Sequence, residues 1–181
     1  MVVNGTPIEV VDYDPAWPGM AAEAIAELWT VLHGVVSAIE HIGSTAVPGL
    51  AAKPTIDLMA AAADLAEVEG REGSLADHGY RRHSNAMTDR LLYVRFAGRR
   101  RTHILHMVAA DTWPTRNQRI LRDYLRAHPA EAERYARLKR DVADAGTHPA
   151  DYARAKTALI QELTDRARAA RGLPSVPVWE K

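Results

Sequence analysis

The chain has 181 residues, close to half of them hydrophobic, with no cysteine and a formal net charge of zero. Such a length buries a real core and fits one compact unit, while zero net charge leaves no global field for nucleic acid or an anionic membrane. The lack of cysteine excludes a disulfide framework, a zinc-thiolate site and a cysteine nucleophile together.

Met1 to Pro7 carry neither a basic segment nor a long apolar one. No later run approaches the roughly 20 apolar residues that cross a bilayer, so a soluble, cytoplasmic protein without a membrane partner is expected. The oligomeric state is left open. Ile8 to Val11 is a short strand candidate, and Tyr13-Asp14-Pro15 is turn chemistry leading into a helix that starts at Trp17. Met20, Ala21, Ala24, Ile25, Leu28, Val31 and Leu32 recur there at helical spacing. Gly34 to Ile42 then reads as a buried strand, Gly43-Ser44 as a turn, and Thr55 to Ala62 as a second buried strand that contains Asp57. Asp64 is placed to cap a helix running to about His78, with Gly70 and Gly73 weakening it and Gly79 ending it. Arg90 to Ala97 and Thr102 to Ala110 form a predicted hairpin around Gly98-Arg99-Arg100-Arg101, an exposed tip in the plainer reading.

From Thr115 the pattern is helical, in three pieces punctuated by Pro129 and by Gly146 to Pro149 and ended by Gly172. The expected division is a mixed α/β core over 1–112, helices over 113–172 packed on it in the same compact unit, and an extended or mobile tail over 173–181.

The chemistry concentrates between Glu40 and Met59. Gly43 allows close backbone approach to a phosphate chain, and Ser44 and Thr45 add hydroxyls at the end of a strand. A dozen residues later, Asp57 stands inside an apolar strand, where a carboxylate is costly unless it is paired, hydrogen-bonded or holding a metal. This is the spacing of nucleotidyltransferase-fold enzymes, in which the strand carboxylate holds Mg²⁺ against the same phosphates. Those enzymes carry Asp-x-Asp or Asp-x-Glu and a third acid on a neighbouring strand. Here the pair position is Met59. Ser44 lacks a Gly-x-Ser-x-Gly elbow, and no Gly-x-x-x-x-Gly-Lys-Ser/Thr loop or dinucleotide fingerprint occurs.

The full run Glu40-His41-Ile42-Gly43-Ser44-Thr45-Ala46-Val47-Pro48-Gly49-Leu50, followed by Lys53-Pro54-Thr55-Ile56-Asp57, resembles the GrpB family, also called UPF0157. Tyr13-Asp14-Pro15-Ala16-Trp17, Leu105-His106-Met107 and Arg122-Asp123-Tyr124-Leu125-Arg126-Ala127-His128-Pro129 extend the resemblance over roughly 8–170. It implies an α/β (α+β) fold, a nucleotidyltransferase-like mixed β-sheet flanked by helices and followed by a C-terminal helical region. Members also occur fused to dephospho-CoA kinase. Ile104 and Leu121 depart from the Asn and Phe common in the family.

By position in that fold, His106 lies where relatives carry the third carboxylate, so it is a candidate metal ligand or base; a buried structural histidine is the alternative. His103 points to the other face and reads as structural. His41 is expected to line the pocket, with Glu40 facing away from it as either the missing acid or a salt-bridge partner. Lys53 is a candidate phosphate clamp or a surface lysine. In the helical half, Tyr135 with Lys139 and Tyr152 with Lys156 repeat a Tyr-x-x-x-Lys spacing, and Arg122 and Arg126 share a helix face. Lys139, Lys156 and Arg122 are assigned to phosphate, and Tyr135 and Tyr152 to the pocket wall; solvated Arg-rich helices are the plain alternative.

The leading expectation is a Mg²⁺-dependent nucleotidyltransferase-like enzyme that binds ATP or another NTP and transfers a nucleotidyl group to, or activates, a small-molecule acceptor. Nucleic acid is not the expected partner. Asp57 and His106 are the catalytic and metal-binding residues of this reading. A non-catalytic nucleotide or metabolite module, or the same cleft reused for other chemistry with His106 as base, are the alternatives.

Overall fold

The computed structural model describes residues 9–84, 89–146 and 149–178. The chain divides into two compact units, a sheet unit of 14–46 and 55–116 and a helical unit of 1–13, 47–54 and 117–181. The division expected near residue 112 therefore falls at Arg116, and Val47–Pro54 joins the helices. The reason is apolar: Val47, Leu50 and Ala51 are buried in one core with Leu125, Tyr135, Leu159 and Leu163.

The sheet unit opens with helix α1, Trp17–Val31. The Asp14 carboxylate accepts a hydrogen bond from the Ala16 amide at 2.8 Å, so the Asp-Pro turn aims the chain into the helix. Trp17, Ala21, Ala24, Leu28 and Val31 form its buried stripe, the i, i+4, i+7 periodicity of a helix covering a sheet.

Strands β1 (Val36–Ile42), β2 (Ile56–Ala62), β3 (Arg81–Arg82), β4 (Arg90–Ala97) and β5 (Arg100–Ala109) make one mixed sheet in the order β1-β2-β5-β4-β3. β2 and β5 are neighbours inside the sheet and run parallel, and the remaining pairings are antiparallel. The all-apolar run of β2 apart from Asp57 is what a strand covered on both faces requires.

Asp64 caps its helix by accepting from the Ala66 amide at 2.8 Å. The single predicted helix is two, α2 (Leu65–Glu69) and α3 (Glu72–Asp77), broken at Gly70-Arg71 where glycine favours interruption. Gly79, at φ +82°, ends α3, with Tyr80 N–H to Leu75 O at 2.9 Å and Gly79 N–H to Ala76 O at 3.0 Å. β5 begins two residues earlier than predicted, leaving Gly98-Arg99 as a two-residue loop. The 3₁₀ turns Ser44–Ala46 and Ala110–Thr115 and the short β3 had no sequence signal.

The helical unit contains α4 (Asn117–Ala127), α5 (Pro129–Asp144) and α6 (Pro149–Ala169). Pro129 and the 146–149 break punctuate them as the pattern requires. Val11 pairs with Ala52 in an isolated antiparallel bridge, the described remnant of the first strand candidate, whereas Ile8 lies outside the described residues. The tail is tied to α6 over its described length. Arg168 Nε donates to Pro174 O at 2.6 Å and the Val178 amide donates to Gln161 Oε1 at 2.7 Å. Among the described residues no helix is long and apolar enough to cross a membrane.

Register assigns the two faces of the sheet. Ile56, Leu58, His103 and Leu105 share one, and Asp57, Met59, Ile104 and His106 share the other. His103, buried as expected, accepts a hydrogen bond at Nδ1 from Arg95 Nε at 3.2 Å, and Arg95 also meets Glu27 of α1 at 2.8 Å. This lays α1 over the His103 face. Burial, and secondarily the Arg95 charge, push the His103 pKa down from 6.5 to about 4. The unfolded chain takes up this proton near pH 6.5 and the folded chain only near pH 4, so stability declines as pH falls through that window. Replacing His103 with Gln is expected to flatten the decline in denaturant midpoint between pH 6.5 and pH 4.

Candidate functional site

At the end of β1 the chain turns through Gly43, at φ +73°, a conformation that glycine alone adopts at little cost. A Cβ added at Gly43 would lie 2.6 Å from Asp57 Oδ2, so the absence of a side chain also lets the turn rest directly on the carboxylate. Ile42 and Asp57 are register partners across β1 and β2, which is why residues a dozen apart in sequence meet. Ser44 follows, half-buried, in the 3₁₀ turn.

On the other side of Asp57, His106 Nε2 lies 4.0 Å from Oδ1. That is too long for a hydrogen bond, and it becomes an ion pair only when the imidazole is protonated. His106 is buried, and its ladder partner on β2 is Met59. Met59 itself packs with Ile42, Val108 and Trp113. A second acid at this position would stand in an apolar cluster. Gly43, Asp57 and His106 are thus brought together.

His41 is turned to the opposite face, paired with Leu58 rather than with Asp57. Its Nε2 is 2.9 Å from Thr45 Oγ1, and that hydroxyl donates to Thr55 O at 3.3 Å. With the Thr45 proton so used, His41 supplies the other proton through Nε2–H. Thr45, fully buried, is a strut that ties the turn to the start of β2. Glu40, by contrast, pairs with Met59 and so shares the Asp57 face. Strand alternation back from Gly43 is the sequence signal that locates it. Among the described residues no group of three or more His, Asp or Glu is arranged to hold a metal.

The helical unit gathers the other expected residues. Lys139 Nζ stands 4.5 Å from the Tyr135 ring centroid and Lys156 Nζ 4.1 Å from that of Tyr152, so each Tyr-x-x-x-Lys folds back over its own ring. Lys53 Nζ is 4.3 Å from the Tyr152 ring. Burial first, and then the charges of Lys156 and Arg140, lower the Lys139 amine to about 7. Burial pushes the Tyr152 hydroxyl up to about 12.

Arg122 is differently engaged, bonding Asp123 Oδ1 through Nε at 2.8 Å and Nη2 at 2.7 Å. Burial alone would raise the Asp123 carboxyl, but hydrogen bonds from Arg171 and Arg122 hold it below the usual range. Elsewhere a cavity of about 390 Å³ is lined by Glu69, Glu72, Arg82, His83, Ser84, Arg90 and Leu92, none of which was singled out in the sequence.

Comparison with known proteins supplies the kinship. A family model described as GrpB protein matches residues 7–166. A UPF0157 protein of Pseudomonas aeruginosa is 35% identical, covering 93% of this chain and 71% of that one. A UPF0157 protein of Halalkalibacterium halodurans is 32% identical over 90% of this chain and 83% of its own length. The crystal structure of the conserved protein GrpB from Enterococcus faecalis superposes with a TM-score of 0.84 at 30% identity, covering 91% of this chain and 99% of that one. A dephospho-CoA kinase of Mycolicibacterium paratuberculosis matches 46% of this chain at 33% identity, over 21% of its own length. A family model spanning most of the sequence, and a solved structure matched over nearly its whole length, establish that the chain belongs to the GrpB family.

Proposed function

We propose that the sheet unit binds a nucleoside triphosphate at the Gly43-Ser44 turn and Asp57, and that the protein is a nucleotidyltransferase-like enzyme acting on a small acceptor. The observation that carries this reading is the seating of Gly43 on the Asp57 carboxylate. It joins a backbone turn suited to phosphate with an acid suited to a cation, which neither residue offers alone.

Mg²⁺ takes oxygen ligands and commonly shares one or two protein carboxylates with substrate phosphates and water. Asp57 fits an ion that arrives with the triphosphate, and imidazole nitrogen is the poorer donor for it. When bound, the ion would neutralise phosphate charge. His106 is therefore read as the base: it accepts the proton of the acceptor's O–H or N–H as that atom attacks the α-phosphorus and pyrophosphate leaves. Asp57, 4.0 Å away, stabilises the imidazolium that results. Ser44 offers its hydroxyl and amide to a phosphate oxygen. Met59 supports a second reading, a nucleotide-binding module without turnover, because two-metal transfer uses more carboxylates than Asp57 alone.

With ATP or another NTP, Mg²⁺ and a panel of small acceptors, pyrophosphate release is expected from the native protein and about 100-fold less from Asp57→Asn, the scale of losing one electrostatic stabiliser. Nucleotide binding without any release would favour the module, and indifference to every nucleotide would overturn both readings. Gly43→Ala is expected to cost about 1–2 kcal/mol of stability from the left-handed backbone alone. It should also abolish nucleotide binding, because the new methyl displaces Asp57; denaturant titration and calorimetry would measure the two effects.

A further inference from the structure

In the helical unit, α5 buries Ala132, Tyr135, Ala136 and Lys139, so a lysine occupies the i+7 position of an otherwise apolar stripe. Lys139 is 2% exposed, and its Nζ has no hydrogen-bond partner among the described residues. An ammonium has three donors and no acceptor capacity, and burying it without an acceptor is costly. A lysine of neutral role would extend its amine to water.

The surroundings deepen the cost. Lys156 on α6 and Arg140 on α5 both bear electrostatically on Lys139, and Arg140 is itself paired with Asp12 at 2.7 Å. Lys53 and Lys156 both stand at the Tyr152 ring, Lys53 exposed and Lys156 half-buried. An exposed, a half-buried and a buried lysine are thus held at two tyrosine rings, with Lys156 electrostatically linking the Tyr152 pair to Lys139. Repulsion among these cations is relieved by a ligand carrying several negative charges.

We propose that Lys53, Lys156 and Lys139, framed by Tyr135 and Tyr152, form an anion subsite for a phosphoryl group, a phosphate ester or a polyphosphate chain, with Lys139 at its base. The choice of a phosphoryl ligand rests on the phosphate-binding reading above, but the subsite uses residues of the helical unit alone. Lys139, poised near pH 7 between its neutral and charged forms, takes up a proton as the anion docks. Affinity therefore falls as pH rises through about 7.

The probe is sodium tripolyphosphate, titrated calorimetrically into the full chain with chelator present, in buffers of differing ionisation enthalpy. Native protein is expected to bind with net proton uptake, roughly tenfold more weakly at pH 8.5 than at pH 7 once the Lys139→Arg profile is subtracted to cancel the ligand's own ionisation. Lys139→Arg should bind without that uptake, Lys139→Met should lose at least about tenfold in affinity at pH 7, and Asp57→Asn should bind like the native chain. Lys53→Met and Lys156→Met, at the more exposed rim, should also weaken binding if the core variant fails to fold. No binding at millimolar probe, native-like binding by the Lys139→Met or both rim variants, or loss of binding in Asp57→Asn would each overturn the subsite. That last result would leave the Asp57 reading standing, whereas native-like tripolyphosphate binding by Asp57→Asn together with indifference of the native chain to every nucleotide would sink that reading alone.

Discussion

The contact between Gly43 and Asp57 constrains the rest of the sheet unit. A carboxylate inside an interior strand must be met by something that repays its desolvation, and here the backbone of a residue with no side chain comes so close that a Cβ would lie 2.6 Å from Asp57 Oδ2. That approach requires β1 to end at Ile42, opposite Asp57, and requires Gly43 to adopt a positive φ at once. Thr45 then secures the turn through His41 and Thr55, so the geometry at the acid is braced from the opposite face of the sheet. Loosening any of these would move the turn off the carboxylate.

The same ladder explains the single acid. Because β2 lies between β1 and β5, the residue two beyond Asp57 faces Glu40 on one side and His106 on the other. Met59 fills that position with an apolar group packed on Ile42, Val108 and Trp113. Packing wins over charge there, since a second carboxylate so enclosed would carry an unmet desolvation penalty of several kcal/mol. Glu40 and His106, on either side of Met59, are left as the ionisable side chains that share the Asp57 face.

In the helical unit, apolar and cationic demands coexist on α5. Tyr135 belongs to the core built by Val47, Leu50, Leu125, Leu159 and Leu163, while Lys139 one turn later carries an amine onto the same buried face. The tyrosine ring is what makes the combination tolerable, presenting an electron-rich face 4.5 Å from the amine. Tyr152 does the same for Lys53 and Lys156, which repeats the device on α6.

Much of this was legible in advance because local signals are local in cause. Helical periodicity from Trp17, the Asp64 cap, the Gly79 stop, the Pro129 break and the Arg90–Ala97 strand all follow from backbone preferences and apolar spacing within a few residues. The Gly43-Ser44 and Asp57 pairing was readable as a spacing, and His103 as structural from alternation. The weak point at Gly70 was readable too, but the 3₁₀ turns and the transfer of Val47–Pro54 to the helical core were not, since each depends on which distant side chains a segment packs against. Whether His41 or Glu40 shares the face of Asp57 was decided by register between β1 and β2. That Lys139 is buried rather than solvated was decided by the helices around it: sequence records a lysine's chemistry, but only tertiary packing withdraws it from water.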